Sequence, residues 1–237
     1  MWRMFLAFCL FLLFSPQAAF EEPILLTPPS APSAAFTLYQ PLVHKAARLE
    51  IVETARGEDS GYPAYYYLYG YVRNRTAEPL YDVIVDLEVT IWPYDDPPPP
   101  PYTETVHLIP AFTATLPGQI NPFFYSLTLG KAYADIGPIL GYSANSWAGG
   151  NRHAPLTIVS YHYEGTTLSG TARNDSSQTL HDNRVVVFEP GKCAWKATVV
   201  DALTLQPGDE TSFHLDNYYS ACVTEDLMVL GQGAYQP

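Results

Sequence analysis

Apolar and polar side chains alternate along much of the chain, which is the pattern of β-strands that bury one face. The segment VIVDLEVTIW (83–92) shows this pattern without interruption. Its apolar positions are Val83, Val85, Leu87, Val89 and Ile91, and the positions between them include Asp86, Glu88 and Thr90. Similar short segments are bounded by turn residues about every eight to twelve positions, and no segment has the period of a three-turn amphipathic helix. The pattern therefore predicts an all-β fold.

One frame of residues occurs twice in the chain. LYGYVRNRTAEPLYDV (68–83) returns one hundred positions later as LSGTARNDSSQTLHDN (168–183). The matched pairs are Gly70 and Gly170, Asn74 and Asn174, Leu80 and Leu180, and Asp82 and Asp182. We expect each glycine to make room for a neighbouring backbone or a bend, and each asparagine to begin a turn. Each leucine is expected to fill the core, and each aspartate to start the next strand.

Each repeat also contains a Pro-Gly turn followed by a strand with a phenylalanine, in TLPGQINPFFYSL (115–127) and TLQPGDETSFHLD (204–216). The Pro-Gly pair turns the chain, and the phenylalanine returns to the core. Units of about 80 to 95 residues built from short strands are typical of immunoglobulin-like sandwiches. We therefore predict an all-β fold of two tandem immunoglobulin-like β-sandwich domains, residues 37–130 and 155–237.

The chain begins with the features of a secretory signal in residues 1–19. Arg3 precedes an apolar run of 11 residues, and small residues follow. The run is shorter than the roughly 20 residues that span a bilayer, which favours export. Gln17 is unusual before a cut after Ala19, so both cleavage and retention as an anchor remain open.

Three other segments lack the alternation. Residues 20–36 are rich in Pro, Ser and Ala and predict an extended tether. Residues 131–154 are expected to connect the two domains, with one short helix around Tyr133. Five consecutive prolines, Pro97–Pro101, cannot donate backbone hydrogen bonds and predict a protruding loop.

Composition narrows the classes of partner. The chain has 12 basic and 24 acidic residues, and its net charge of -12 disfavours nucleic acid and anionic membrane surfaces. We therefore expect no nucleic-acid partner and at most a peripheral association with a membrane. Aromatic residues make up 14% of the chain and charged residues only 15%, so apolar material for a core is ample.

Two cysteines, Cys193 and Cys222, remain beyond the leader. In an exported chain such a pair forms a disulfide more often than a metal site or a catalytic site. We predict a disulfide between them, which would stabilise the second domain by roughly 3 kcal/mol. Two separate buried thiols are the alternative.

Motifs for catalysis or cofactor binding are not found in the sequence. GYSAN (141–145) lacks the second glycine of a nucleophile elbow, and the six histidines have no zinc-site spacing. Asp95-Asp96 lacks the spacing of a calcium loop and is interpreted as a solvated turn. We therefore predict no catalytic residue, no metal and no cofactor. A small hydrolase with its site in residues 130–155 is an alternative that no motif supports.

Two sequons for N-glycosylation, Asn74-Arg75-Thr76 and Asn174-Asp175-Ser176, coincide with the repeated frame. Both fall where the repeat requires turn residues. We therefore interpret them as turns rather than as glycan acceptors.

The segment AYYYLYGYV (64–72) is unusually rich in tyrosine. Alternation places four of them on one strand face: Tyr65, Tyr67, Tyr69 and Tyr71. The second repeat has Thr167, Ser169 and Thr171 at the last three of these positions, so this face is predicted to be the outer one. Outward aromatic side chains suit a protein partner or stacking on a sugar ring. The alternative is that this tyrosine row packs on the tether, the connecting segment or the other domain.

The two frames resemble the bacterial FxLYD domain and related extracellular immunoglobulin-like modules. The matching residues are GYVRNRT, LYDVIVDLEVTIWPYD and LPGQINPFF in the first repeat, and GTARNDS, LHDNRVVVFEPG and LQPGDETSF in the second. The resemblance covers about two thirds of the chain beyond the leader. It implies an extracellular module of a bacterium without an established catalytic function. Trp92-Pro93 and Phe188-Glu189 depart from the pattern, so shared partners are not implied.

These observations together predict a non-catalytic protein that is secreted or held at the cell envelope. It would serve as a scaffold, adhesion or accessory module whose partner is an unknown envelope protein or polysaccharide. The alternative is a carbohydrate-binding protein that uses the tyrosine row.

Overall fold

The computed structural model describes residues 42–45, 48–59, 64–93, 99–129, 132–146, 150–189, 193–216 and 227–237. All the regular secondary structure in these ranges is β-strand, which confirms the predicted all-β class. No helix in the described ranges is long and apolar enough to cross a bilayer. The predicted signal, residues 1–19, and the predicted tether, residues 20–36, lie outside the described residues.

Fifteen strands are present in the described part of the chain. In chain order they are β1 (Leu42–Lys45), β2 (Leu49–Asp59), β3 (Ala64–Asn74), β4 (Leu80–Pro93), β5 (Tyr102–Leu108), β6 (Ala114–Thr115), β7 (Ile120–Leu129), β8 (Ala132–Asn145), β9 (Arg152–Glu164), β10 (Thr167–Arg173), β11 (Leu180–Glu189), β12 (Cys193–Val199), β13 (Thr204–Leu205), β14 (Glu210–Leu215) and β15 (Met228–Tyr235). Below, the first repeat denotes strands β1–β8 and the second repeat denotes strands β9–β15.

The same antiparallel pairing scheme occurs in both repeats. In the first repeat, one sheet has the order β1-β2-β3-β7, while β4 pairs with β5, β6 and β8. In the second repeat, β9-β10-β14 corresponds to β2-β3-β7, and β11 pairs with β12, β13 and β15. The duplicated sequence frame therefore corresponds to a duplicated strand arrangement, and Thr37–Pro237 forms one compact unit.

Strand β9 distinguishes the second repeat from the first. Its first part, Arg152–Leu156, pairs with β15, and its second part, Thr157–Glu164, pairs with β10. One strand thus belongs to both sheets, and the order β12-β11-β15-β9-β10-β14 is continuous. In the first repeat, β2 pairs with β1 and β3, so the two sheets share no strand among the described residues.

Strand β8 replaces most of the expected connecting segment. It pairs with β4 from Pro93 opposite Ala132 to Tyr81 opposite Asn145. The predicted helix around Tyr133 is therefore wrong. Gly137 and Pro138 interrupt the alternation of apolar residues, so the sequence pattern did not predict this strand. The pairing with β4 also shifts register at Leu87.

Each repeat has its own hydrophobic core. The first core contains the five alternating apolar residues of β4, none more than 7% exposed, as the alternation predicts. The second core includes Leu168, Val185 and Val187, all 0% exposed. A third, smaller cluster joins residues of both repeats: Ala55, Tyr69 and Phe188, with Tyr67, Tyr71, Phe124 and Met228 packed against them.

The repeated glycines are positions of close approach. A Cβ atom on Gly70 would lie 2.5 Å from the Phe123 ring and 2.6 Å from the Val52 carbonyl oxygen. A Cβ atom on Gly170 would lie 2.5 Å from the Phe213 ring and 2.4 Å from a strand carbonyl oxygen. Both phenylalanines are at most 1% exposed. The expectations for the glycines and for the returning phenylalanines are confirmed.

The repeated aspartates begin strands, as expected, but in an unusual conformation. Asp82 has a φ of 48° and Asp182 a φ of 49°, which is the left-handed region. The strand pairing shifts register beside each of them, in β4 with β8 and in β11 with β15. Leu80 and Leu180, two residues earlier, are both 0% exposed and fill the cores as predicted.

A buried ion pair joins the two sheets of the first repeat. Glu53 on β2 is 1% exposed, and its carboxylate accepts hydrogen bonds from Nε and Nη2 of Arg56, both at 2.8 Å. Arg56 also donates to the carbonyl oxygen of Gly137 on β8 at 2.7 Å, and to that of Ile136. Because β8 belongs to the other sheet, the guanidinium group bridges the two layers.

Candidate functional site

The tyrosine row lies on the face of β3 that is opposite the first core. Tyr66, Leu68 and Val72, on the inner face, are at most 3% exposed, as the alternation predicts. On the other face Tyr65, Tyr67 and Tyr71 are half-buried, and Tyr69 is 6% exposed. The predicted division of the strand into two faces is therefore confirmed.

Neighbouring rings of the row lie in contact along the strand, with Tyr65 and Tyr67 tilted and Tyr67 and Tyr69 stacked. The centroids of Tyr65 and Tyr67 are 5.9 Å apart, and those of Tyr67 and Tyr69 are 5.2 Å apart. The Tyr69 ring also stacks on Phe124 of β7, at 5.1 Å and an interplanar angle of 11°. A Cβ atom on Gly57 would lie 2.3 Å from the Tyr67 hydroxyl oxygen, so the Tyr67 side chain lies across the glycine. Stacking of this kind holds the rings in fixed positions.

The second repeat covers one end of the row. Phe188 of β11, 0% exposed, meets the Tyr71 ring edge-on at 6.2 Å. Tyr69 is a buried member of the same cluster. The ring contacts of Tyr65 and Tyr67 within the described residues are with each other and with Tyr69. The row therefore has a covered end, Tyr69 and Tyr71, and an outer end, Tyr65 and Tyr67; binding of an external ligand remains a prediction.

Burial also affects the ionisation of Tyr69 in this row. Removal from water raises the pKa of the Tyr69 phenol above its usual value, and the Tyr65 and Tyr67 phenols add to the increase. Tyr69 therefore stays neutral at any physiological pH. It serves as an uncharged packing residue between the repeats.

Polar contacts join the repeats beside the aromatic cluster. Gln232 of β15, 3% exposed, donates from Nε2 to the carbonyl oxygen of Ala114 at 3.0 Å and to Oε1 of Gln119 at 3.1 Å. The His153 ring of β9 lies 5.9 Å from the Tyr81 ring of β4. Sequence patterns gave no signal for these contacts, because they depend on how the repeats pack.

His153 is partly buried in this contact between the repeats. Its Nδ1 atom is buried, and no hydrogen-bond partner is found for it among the described residues. Burial lowers the pKa of His153 below 6.5, and the nearby His181 lowers it further, while Asp182 acts in the opposite direction. The folded protein therefore favours neutral His153.

We expect the free energy of unfolding to fall as the pH drops below 6.5, the ordinary pKa of histidine. In that range the unfolded chain binds a proton at this position more readily than the folded chain, so acid favours unfolding. Urea denaturation at a series of pH values measures the effect. The variant His153→Gln should reduce the slope; equal slopes in the variant and the unaltered chain would contradict the assignment.

The two asparagine sequons are structural turns. Asn174 is 0% exposed and donates from Nδ2 to the carbonyl oxygens of Gln178 at 2.7 Å and Leu205 at 3.0 Å. Its Oδ1 accepts from the backbone N and the hydroxyl of Ser176, at 3.0 and 2.7 Å. Asn74 makes the same four bonds within the first repeat, at 2.7 to 2.8 Å. Both amide hydrogens are used in each case, which confirms the interpretation as turns.

The other predicted positions fall into two groups. His162 and His214 lie on strands and are exposed, and Pro99–Pro101 are exposed. Cys222 and Asp95-Asp96 lie outside the described residues, so the predicted disulfide with Cys193 remains a prediction. Nowhere in the described ranges do three residues among His, Cys, Asp and Glu lie close enough to hold a metal ion.

No protein-family model matches the chain, and no curated protein matches it.

Proposed function

We propose that the chain is a non-catalytic exported protein that acts as a scaffold, adhesion or accessory module at a bacterial cell envelope. In this proposal each repeat is an immunoglobulin-like β-sandwich domain similar to FxLYD. The recurrence of the β2-β3-β7 pairing as β9-β10-β14 supports a duplicated module. A framework of paired strands holds surface side chains at fixed positions, which suits recognition of a partner.

The observation that carries the proposal is the ordered stack of rings at the outer end of the tyrosine row. Tyr67 is held between Tyr65 and Tyr69, and the covered end is fixed by Phe188 of the second repeat. Tyrosine has few rotatable bonds, so a pre-stacked ring loses little entropy when it contacts a partner. The outer end therefore offers a preorganised contact for an envelope protein.

A photocrosslinking experiment tests the proposal. A benzophenone amino acid in place of Tyr67 is expected to give one discrete adduct with an envelope protein in the host. The same group in place of Ser212, an exposed residue on β14 of the second repeat, should not give that adduct. Adducts that are identical at both positions, or no adduct at Tyr67, would refute a partner at the tyrosine row.

The second candidate is a carbohydrate-binding protein that uses the same outer end. The adjacent half-buried rings of Tyr65 and Tyr67, tilted by 31°, favour it because aromatic rings pack against the C–H faces of sugars. For this candidate, binding of at least one glycan on an array should be lost in Tyr67→Ser and retained in Tyr161→Ser, a change at a tyrosine 47% exposed on β9. Equal binding by both variants would exclude this candidate.

A further inference from the structure

A second feature, separate from the tyrosine row, is a cleft of about 220 Å³ between the two repeats. The floor includes Tyr81 and Phe112 from the first repeat and Ala234 from the second, all at most 6% exposed. The rim is polar and includes Asp82, Asp182 and Arg184, whose side chains are exposed. The cleft is smaller than the roughly 300–1,000 Å³ of pockets for drug-sized ligands, so it fits one small group.

The two aspartates of the rim occupy equivalent positions of the duplicated frame. Their shared left-handed backbone starts each strand, and packing of the repeats brings both to the same cleft. Asp82 accepts a hydrogen bond from Asn145 through Oδ2 at 3.2 Å, and Oδ2 of Asp182 lies 3.1 Å from His181 Nδ1. Each carboxylate therefore keeps its Oδ1 atom without a partner among the described residues.

Two further polar groups of the cleft have unused hydrogen-bonding capacity. The Arg184 side chain forms no hydrogen bond or ion pair within the described residues, so its guanidinium N–H groups can donate to a ligand. His153 contributes the buried Nδ1 atom that has no partner there. Buried polar atoms are nearly always hydrogen-bonded in folded proteins, so this Nδ1 atom is available to a hydroxyl group of a bound molecule or to water.

The charges of the rim restrict the class of ligand. A free anion would meet the carboxylates of Asp82 and Asp182, and a free cation would meet the guanidinium group of Arg184. A neutral ring with several hydroxyl groups is repelled by neither kind of charge. Each of its hydroxyl groups can donate a hydrogen bond to a carboxylate and accept one from a guanidinium N–H. Its C–H surface can lie on the apolar floor at Tyr81 and Phe112.

We propose that this cleft binds one residue of a neutral sugar. The carboxylates of Asp82 and Asp182 accept hydrogen bonds from its hydroxyl groups, and Arg184 donates to them. The site requires neither the tyrosine row nor an envelope partner, and the bound sugar contacts both repeats. Binding therefore stabilises the contact between the repeats and raises the melting temperature.

Titration of the purified full chain with cellobiose, maltose and chitobiose, followed by amide NMR and by thermal melting, tests the proposal. At least one of these sugars is expected to shift the signals of Asp82, Asp182 and Arg184 in a saturable way and to raise the melting temperature. Glycine, a zwitterion without hydroxyl groups, should do neither. Failure of all three sugars, or equal shifts with glycine, would overturn the proposal.

Variants separate the cleft from the rest of the surface. Asp182→Gly keeps the left-handed backbone, because glycine adopts positive φ without strain. This variant and Arg184→Gln are each expected to weaken sugar binding at least about tenfold. The matched control Arg173→Gln, at an arginine paired with Asp175, and the variant Tyr67→Ser should bind as the unaltered chain does. Wild-type affinity in Asp182→Gly and Arg184→Gln would also overturn the proposal.

Discussion

Replacement of Asn174 by alanine is expected to lower the free energy of unfolding by about 3–5 kcal/mol. The side chain is fully buried and makes four hydrogen bonds, which hold the turn after β10 against Leu205 of β13. Alanine leaves the buried carbonyl oxygen of Leu205 without its donor, and it also removes the bonds to the Gln178 carbonyl oxygen and the Ser176 backbone N–H. The decrease in the free energy of unfolding is therefore larger than that expected from the loss of one ordinary hydrogen bond.

Urea denaturation of the full chain measures this effect, and the duplication supplies an internal comparison. Asn74→Ala should produce a similar loss in the first repeat, since Asn74 makes the equivalent four bonds. Ser176→Ala removes only the hydroxyl contacts of the same turn. It should lower the free energy of unfolding clearly less than Asn174→Ala does. A loss below about 1 kcal/mol in Asn174→Ala would show that the turn does not depend on this side chain.

Replacement of Arg56 by alanine is the other change with a large expected cost, again about 3–5 kcal/mol. Arg56 satisfies both carboxylate oxygens of Glu53, which is 1% exposed, and two carbonyl oxygens of β8. Its removal leaves a buried carboxylate without its cation. It also removes the bridge between the two sheets of the first repeat.

A double-mutant cycle separates the charge from the packing. The variant that combines Glu53→Leu with Arg56→Met removes both charges and should lose much less stability than Arg56→Ala alone. Arg173→Ala breaks an ion pair on the exposed surface and should lose little. If the double variant is as unstable as Arg56→Ala, then the contacts of Arg56 with β8 matter more than the charge of Glu53.

The sequence predicted the parts of the fold that local pattern controls. Alternation identified the buried face of β4 and the division of β3 into two faces, and the repeated frame identified the roles of Gly70 and Leu80. These predictions succeeded because period and backbone sterics act over a few residues. Strand β8 was missed because Gly137 and Pro138 interrupt its alternation.

The contact between the repeats could not be predicted from the sequence. Phe188 was visible there only as a departure from the family pattern, although it covers Tyr69 and Tyr71. The cleft depends on the left-handed backbone at Asp82 and Asp182 and on packing between residues far apart in the chain. Neither the backbone conformation nor the long-range packing produces a periodic pattern in the sequence. The cleft could therefore be identified only from the three-dimensional structure.

The shared strand β9 has a consequence for the way the second repeat comes apart. Because Arg152–Leu156 pairs with β15 in one sheet and Thr157–Glu164 pairs with β10 in the other, separation of this one strand removes a neighbour from each sheet at once. Local unfolding of β9 is therefore expected to weaken both sheets of the second repeat rather than one.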